Sequence, residues 1–229
     1  MTLSPFIEIA AGPPRVLCLT RDIPVDEASL ASGLSDESHR QLRQITHPAR
    51  RQEFLRARYL VRIATAQEVD PPRDGDGVIR WPDGLVGSVS HSLGDVIVAT
   101  AARDVFRSVG IDLERPSRIR AELAAKICTP RDLELVASGL ISVAEVFAAK
   151  EALFKCHFPM GRKRFWFLDA ELAHVARNDT GAELSLRVLV DSGPMTPAGT
   201  VSNARVIPVP FDDAVLVWVA VAGPERQSK

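Results

Sequence analysis

The chain has 229 residues, of which 46% are hydrophobic and 25% charged, with a formal net charge of -1. Such a composition belongs to a globular protein with ample length for a buried core, and the near-neutral charge argues against a generally nucleic-acid-binding surface. Three widely spaced cysteines, Cys18, Cys128 and Cys156, contain no Cys-x-x-Cys, so neither a disulfide framework nor a zinc site is predicted.

In chain order, no basic segment followed by an apolar one opens the sequence, so no secretory signal is read there. A helix is predicted from Pro48 to about Val69, with Phe54, Ala57, Val61 and Ala64 at helical spacing. Residues 70–77, rich in Pro, Gly and Asp, read as a loop. Strand-like runs follow at 85–90, 96–102 and 109–114. Thr129-Pro130-Arg131-Asp132 is a helix start with Thr as N-cap, and Gly139 suits its end. Ser142-Val143-Ala144-Glu145 has the capping-box pattern and opens a helix over 143–156. Further strands are read at 184–190, 201–207 and 215–222; the apolar run 214–222 is far too short to cross a bilayer. Helices and strands without a regular βαβ rhythm predict an α+β fold. Two parts are expected, 1–108 and 109–229, in a soluble, cytoplasmic protein with no nucleic-acid or membrane partner.

Four constellations carry candidate chemistry. Asp112 and Glu114 lie two apart on a predicted strand, so both carboxylates leave the same face while Ile111 and Leu113 leave the other. Gly110 beside them permits close approach of a backbone or ligand. Magnesium takes one or two such carboxylates and completes its shell with water and phosphate oxygens; an edge strand with a solvated acidic face is the alternative. Phe147, Glu151 and Lys155 share one helical stripe, with Lys150 rotated away toward an adjacent groove. An exposed Glu-Lys pair is the alternative there, although the aromatic on the stripe speaks against a purely solvated face.

In Gly87-Ser88-Val89-Ser90-His91-Ser92, Ser88 and Ser90 share a side and His91 ends the strand, a turn with donors for a phosphate. A serine triad is the rival, but Gly-x-Ser-x-Gly is absent. Arg51, Arg58 and Arg62 form a stripe on the early helix with Arg50 nearby; like charges on one face call for a counter-anion such as phosphate, or simply form a basic solvated face. Arg162-Lys163-Arg164 is a second basic cluster, suited to steering an acidic partner.

The segments Trp81-Pro82-Asp83-Gly84-Leu85-Val86-Gly87-Ser88-Val89-Ser90-His91-Ser92, Val109-Gly110-Ile111-Asp112-Leu113-Glu114 and Lys150-Glu151-Ala152-Leu153-Phe154-Lys155, in this order, resemble the motif series of the 4′-phosphopantetheinyl transferases. The Trp-Pro segment and Arg50-Arg51-Gln52-Glu53-Phe54 with Arg58 are similar to the enterobactin-synthase component D branch, which includes the mycobacterial type II enzymes. Matching runs from about residue 48 to 172.

The resemblance implies two similar α+β halves related by a pseudo-twofold axis, with the active site in the cleft between them. It implies transfer of the phosphopantetheine arm of coenzyme A to a serine of an apo acyl or peptidyl carrier protein, releasing 3′,5′-ADP. Siderophore, polyketide, nonribosomal peptide and fatty-acid carriers would all qualify, and a monomer is expected. Asp112, Glu114 and Glu151 would hold Mg²⁺. Arg50 and Arg58, with Arg51, would bind the coenzyme A 3′-phosphate. Ser90 and His91 would contact nucleotide or phosphates, and Lys150 and Lys155 would sit at the phosphates. Glu151, Lys155 and His91 are the catalytic candidates, with Glu151 or a metal-bound water taking the serine proton. The family often has Lys or Arg a few residues before Trp-Pro; Arg80 or Arg73 would stand in for it. Two other readings stay open: a metal-dependent hydrolase of the coenzyme A pyrophosphate, and a non-catalytic module binding coenzyme A or a carrier protein.

Overall fold

A computed structural model describes residues 6–10, 12–209, 211 and 213–223. The chain divides into two compact units, Met1–Val105 and Phe106–Lys229.

The first unit opens with strands β1 (Ile7–Ala10) and β2 (Arg15–Leu19), then helices α1 (Glu27–Ala31), α2 (Asp36–Gln44) and α3 (Pro48–Thr65), and closes with β3 (Leu85–Ser92) and β4 (Asp95–Ala102). The four strands form an antiparallel sheet in the order β1-β2-β4-β3. β2 and β4, inside the sheet, carry the unbroken apolar runs 16–19 and 96–99, and α3 lies on them through Leu55, Ala57, Leu60 and Val61 against Leu17, Leu19, Val96 and Val98. Helix α3 starts with Pro48 at its first position, where a missing N–H matters least. It stops at Thr65, short of the predicted Val69, because Ala66 turns left-handed with φ 52°. That stop carries no glycine to announce it. The predicted strand 85–90 extends through Ser92 and turns at Leu93-Gly94, both with positive φ, straight into β4. The predicted Ser-His-Ser turn is therefore strand, because the reversal comes two residues later.

The second unit contains β5 (Phe106–Glu114), the short helices α4 (Ala124–Ile127) and α5 (Pro130–Ala137), α6 (Val143–Gly161), and strands β6 (Ala170–Asn178), β7 (Gly181–Val188), β8 (Val201–Ile207) and β9 (Val215–Ala222). Its antiparallel sheet runs β5-β9-β8-β7-β6. Both predicted helix starts are present: Thr129 and Ser142 each close a full capping box, with Asp132 and Glu145. Helix α6 continues past the predicted Cys156 to Gly161, takes Pro159 into its last turn and ends where Arg162 turns left-handed with φ 56°. Ala148, Ala149, Ala152, Leu153 and Cys156 bury one side of α6 against Val217, Val219, Leu184 and Leu186. Each unit is thus one antiparallel sheet carrying one long helix, an α+β architecture. Among the described residues no helix is long and apolar enough to cross a membrane, and Cys18, Cys128 and Cys156 are buried and in no disulfide.

Candidate active site

In the second unit the site begins with Gly110. A β-carbon there would collide with the carbonyl oxygen of Ala152 and stand 2.6 Å from the Cys156 nitrogen. The close approach that this glycine permits is to the backbone of α6. Ser108, on the same face of β5, clamps the contact by donating from Oγ to the Cys156 carbonyl at 2.6 Å. Asp112 and Glu114 continue along that face toward α6, whereas Ile111 and Leu113 leave the other face and are fully buried. Although β5 is an edge strand, the solvated acidic face does not materialise: Asp112 is 3% exposed.

Helix α6 answers these carboxylates with Glu151 and Lys155, one turn apart. Lys155 Nζ donates to Asp112 Oδ1 at 2.6 Å. Glu114 Oε2 accepts from the Arg115 backbone N–H at 3.3 Å. Burial first, and repulsion from Asp112 second, raises the Glu114 carboxyl above its ordinary range; Lys155 and Arg118 pull it back down. Glu151 is likewise raised, by burial most of all and by Asp112 in addition, against the opposing pull of Lys155. Both glutamates therefore feel Asp112.

The donor set is oxygen-only and carries more negative charge than its one nearby ammonium offsets, which suits a hard divalent cation. Among the described residues no three of these side chains converge into a finished metal cage. Two protein carboxylates suffice for magnesium, which keeps water and substrate oxygens in the remaining positions.

Beside Glu151 opens a cavity of about 250 Å³ walled by Phe154, Phe165, Trp166 and Phe167, with Lys150 and Arg164 also in its lining. Phe154 meets Phe165 edge-on at 5.6 Å, and Phe147 stacks on Phe167 at 5.1 Å. The sequence reading missed this wall. Its signal was the Phe165-Trp166-Phe167 run directly after the basic Arg162-Lys163-Arg164, all three of which are exposed.

Lys150 does not fit the expected phosphate contact. It is 2% exposed, and its Nζ donates to Ile127 O at 2.8 Å, Asp132 Oδ2 at 2.6 Å and Phe167 O at 2.9 Å. An ammonium has three donors, so this one has none left to offer. Burial lowers its pKa, with Asp132 opposing. Lys150 borders the cavity beside Glu151, but its ammonium turns to these interior acceptors.

In the first unit, α3 and the segment after it place the arginines. Arg58 is 1% exposed; its Nε pairs with Asp70 and its Nη2 donates to Pro71 O. Asp70 also accepts from Ser38 Oγ at 2.7 Å. Arg51 bonds to Glu27 at 3.1 Å, and Arg62 lies over the Tyr59 ring, 5.4 Å from its centroid. The inference that this stripe lacks counter-charges is thus corrected: Asp70 and Glu27, distant in sequence, supply them. Arg50 is exposed at the start of α3.

One place near this stripe is still suited to an anion. Arg58 Nη1 and Arg73 Nε are both buried without a hydrogen-bond partner. Arg73 sits close enough to Arg58 that, after burial, its repulsion is the next cause lowering the Arg73 pKa. Two neighbouring guanidinium groups with unsatisfied donors favour an anion. Arg73 pairs with Ile79 in an isolated antiparallel bridge, so Arg80, one residue on, faces the other way and is exposed. Of the two arginines, Arg73 is the one beside Arg58.

On β3, Ser88, Ser90 and Ser92 are buried along one face. His91 leaves the opposite face toward α3, exposed, with Nδ1 3.6 Å from Glu53 Oε2. Strand alternation therefore separates Ser90 from His91, which were expected to act together.

Comparison with known proteins identifies the family. A family model described as the 4′-phosphopantetheinyl transferase superfamily matches residues 108–193, and one described as the 4′-phosphopantetheinyl transferase N-terminal domain matches residues 38–102. The chain is 29% identical over 201 residues to 4′-phosphopantetheinyl transferase PptT of Mycobacterium tuberculosis, covering 83% of this chain and 81% of that protein. It is 29% identical over 213 residues to 4′-phosphopantetheinyl transferase Svp of Streptomyces mobaraensis, covering 89% and 83%. Against 4′-phosphopantetheinyl transferase Npt of Nocardia iowensis it is 32% identical over 130 residues, covering 54% and 59%. With one model on each unit and both naming the same activity, the chain belongs to the 4′-phosphopantetheinyl transferase superfamily.

Proposed function

We propose that this chain is an enzyme that transfers the 4′-phosphopantetheine group of coenzyme A to a serine hydroxyl of an apo carrier protein. The observation that carries the reading is the grouping of Glu151 and Lys155 on α6 with Asp112 and Glu114 on β5, beside an aromatic-walled cavity. The serine oxygen forms a bond to the β-phosphorus of coenzyme A as the bond from that phosphorus to the bridging oxygen breaks, and 3′,5′-ADP leaves. In such a transfer the protein mainly positions the reactants and stabilises charge.

Glu151 takes the serine proton. Its raised pKa brings it nearer to neutrality than an ordinary glutamate, which strengthens it as a base. Lys155, partly exposed at 28%, turns its ammonium to the departing phosphate. The Phe154, Phe165, Trp166 and Phe167 wall takes the slender pantetheine arm and keeps water from it. Arg73 and the free edge of Arg58 hold the 3′-phosphate. Asp112 and Glu114 would bind Mg²⁺, which supplies neutralisation of the pyrophosphate charge. The exposed Arg162, Lys163 and Arg164 present positive charge to an acidic carrier. The enzyme acts as a monomer in the cytoplasm.

Incubation with an apo carrier protein, coenzyme A and Mg²⁺, followed by intact-mass measurement, tests this. A carrier heavier by one phosphopantetheine group is the expected result. Loss of coenzyme A without carrier labelling would replace transfer with pyrophosphate hydrolysis, and no turnover would leave a binding module.

A further inference from the structure

Lys150 and Glu151 are consecutive and both border the cavity, yet the Lys150 ammonium is committed to acceptors in the interior. The Lys150 ammonium joins α6 to the end of α4 through Ile127 O and to the first turn of α5 through Asp132. Its third bond goes to Phe167 O, in the short turn that leads into β6. Asp132 is itself 0% exposed and accepts from the backbone N–H of Leu172 at 2.8 Å, so the same carboxylate also fixes the start of β6. The Phe167 ring stacks on Phe147, from the same helix as Lys150. Main chain and side chain of Phe167 are thus both anchored to α6.

Replacing a buried ion pair by apolar packing of the same volume is often neutral or stabilising, which directs attention to the geometry the pair dictates. We propose that Lys150 is a positioning residue: with Asp132 it holds residues 165–169 against α6, and so builds the aromatic wall beside Glu151. The proposal rests on the assignment of that cavity to the pantetheine arm. It separates the two halves of the Lys-Glu pair, one shaping the pocket and the other meeting the substrate.

The test is calorimetric titration of two ligands into the full-length protein and its Lys150→Met and Asp132→Asn variants. One ligand is coenzyme A; the other is 3′-phosphoadenosine 5′-diphosphate, which has the same phosphates but no pantetheine. Loosening the wall should weaken coenzyme A by about tenfold or more while leaving the truncated ligand within about twofold. Carrier labelling should show the same split, with KM for coenzyme A raised and kcat little changed, whereas a mere loss of folded protein lowers kcat alone.

Asp132→Asn keeps the side-chain shape and lies too deep to touch substrate, so it carries the test if Lys150→Met does not fold. Equal weakening of both ligands would make Lys150 a phosphate contact and overturn the proposal. So would unchanged coenzyme A binding by Asp132→Asn. Failure of the unaltered protein to bind coenzyme A at all would instead overturn the assigned function.

Discussion

Lys155 Nζ stands 2.6 Å from Asp112 Oδ1, so the ammonium lies against the carboxylate assigned to the metal. Charge neutralisation by the helix lysine and by a divalent cation are therefore alternatives at the same oxygen. Moving Lys155 to a substrate phosphate would release Asp112 to the cation, coupling the two events. Lys155→Met should then tighten Mg²⁺ binding by roughly fivefold, since a partly buried pair of this kind contributes about 1 kcal/mol. The same variant should lose carrier labelling, while Asp112→Ala should lose both labelling and Mg²⁺ binding. Isothermal titration of Mg²⁺ separates these outcomes. An unchanged Mg²⁺ affinity in Lys155→Met would show that the lysine does not compete.

The relationship depends on Gly110, where no side chain fits between β5 and α6. Gly110→Ala must push the helix backbone away and with it both Glu151 and Lys155. Overpacking of this kind costs about 1–3 kcal/mol, occasionally more; here the obstacle is helix backbone, so the upper end is expected. Labelling should fall with it. Gly75→Ala is the control, because nothing lies within 4 Å of its added carbon and its φ is not positive. Urea unfolding of the two variants checks the contrast, and equal midpoints would mean that α6 can move at little cost.

Local chemistry made some of this legible beforehand and distance hid the rest. The starts of α3, α5 and α6 could be read because Pro48, Thr129 and Ser142 act within one turn of themselves. The shared face of Asp112 and Glu114 followed from strand alternation. Lys150 was misread because its partners, Ile127, Asp132 and Phe167, come from three other segments, and Asp132 already had a local explanation as a capping residue. Arg58 was misread for the same reason: Asp70 looked like one polar residue in a loop. For Ser90 and His91 the difference was local, since the strand ran two residues further than its composition suggested and put them on opposite faces. Strands β1, β2 and β6 were not singled out, being short or interrupted in their apolar pattern.

The anion site of the first unit makes a distinct prediction. Arg73 contributes a buried, partnerless Nε beside Arg58, while Arg80 is exposed on the other side of the bridge. Arg73→Ala should raise KM for coenzyme A by about 10- to 100-fold, the weight of a charge-assisted hydrogen bond to phosphate. It should leave KM for dephospho-coenzyme A unchanged, because that substrate lacks the 3′-phosphate. Arg80→Ala should alter neither. Arg58→Ala is less informative, since it strands the Asp70 charge in the interior at about 3–5 kcal/mol. Steady-state labelling with both substrates decides, and an equal penalty on both would move Arg73 away from the 3′-phosphate.

His157 makes a prediction about the acid sensitivity of the fold. It lies on α6, 2% exposed, with Nδ1 2.8 Å from Thr196 Oγ1 and Nε2 2.8 Å from Ser202 Oγ. A neutral imidazole satisfies both hydroxyls, one by donating and one by accepting. Burial holds its pKa down to about 4, against 6.5 for a free histidine. The unfolded chain therefore takes up a proton as pH falls below 6.5, and the folded chain does so only near 4. Stability contributed by this residue is flat above neutrality and declines through that window by about 1.4 kcal/mol per unit, up to about 3 kcal/mol in all. His157→Gln should be less stable at pH 7.5 but lose this part of the slope, so the two proteins should converge as pH falls. Denaturant unfolding at several pH values measures it. Parallel curves would show that the protonated ring is tolerated between the two hydroxyls, and the acid sensitivity would then belong to the carboxylates alone.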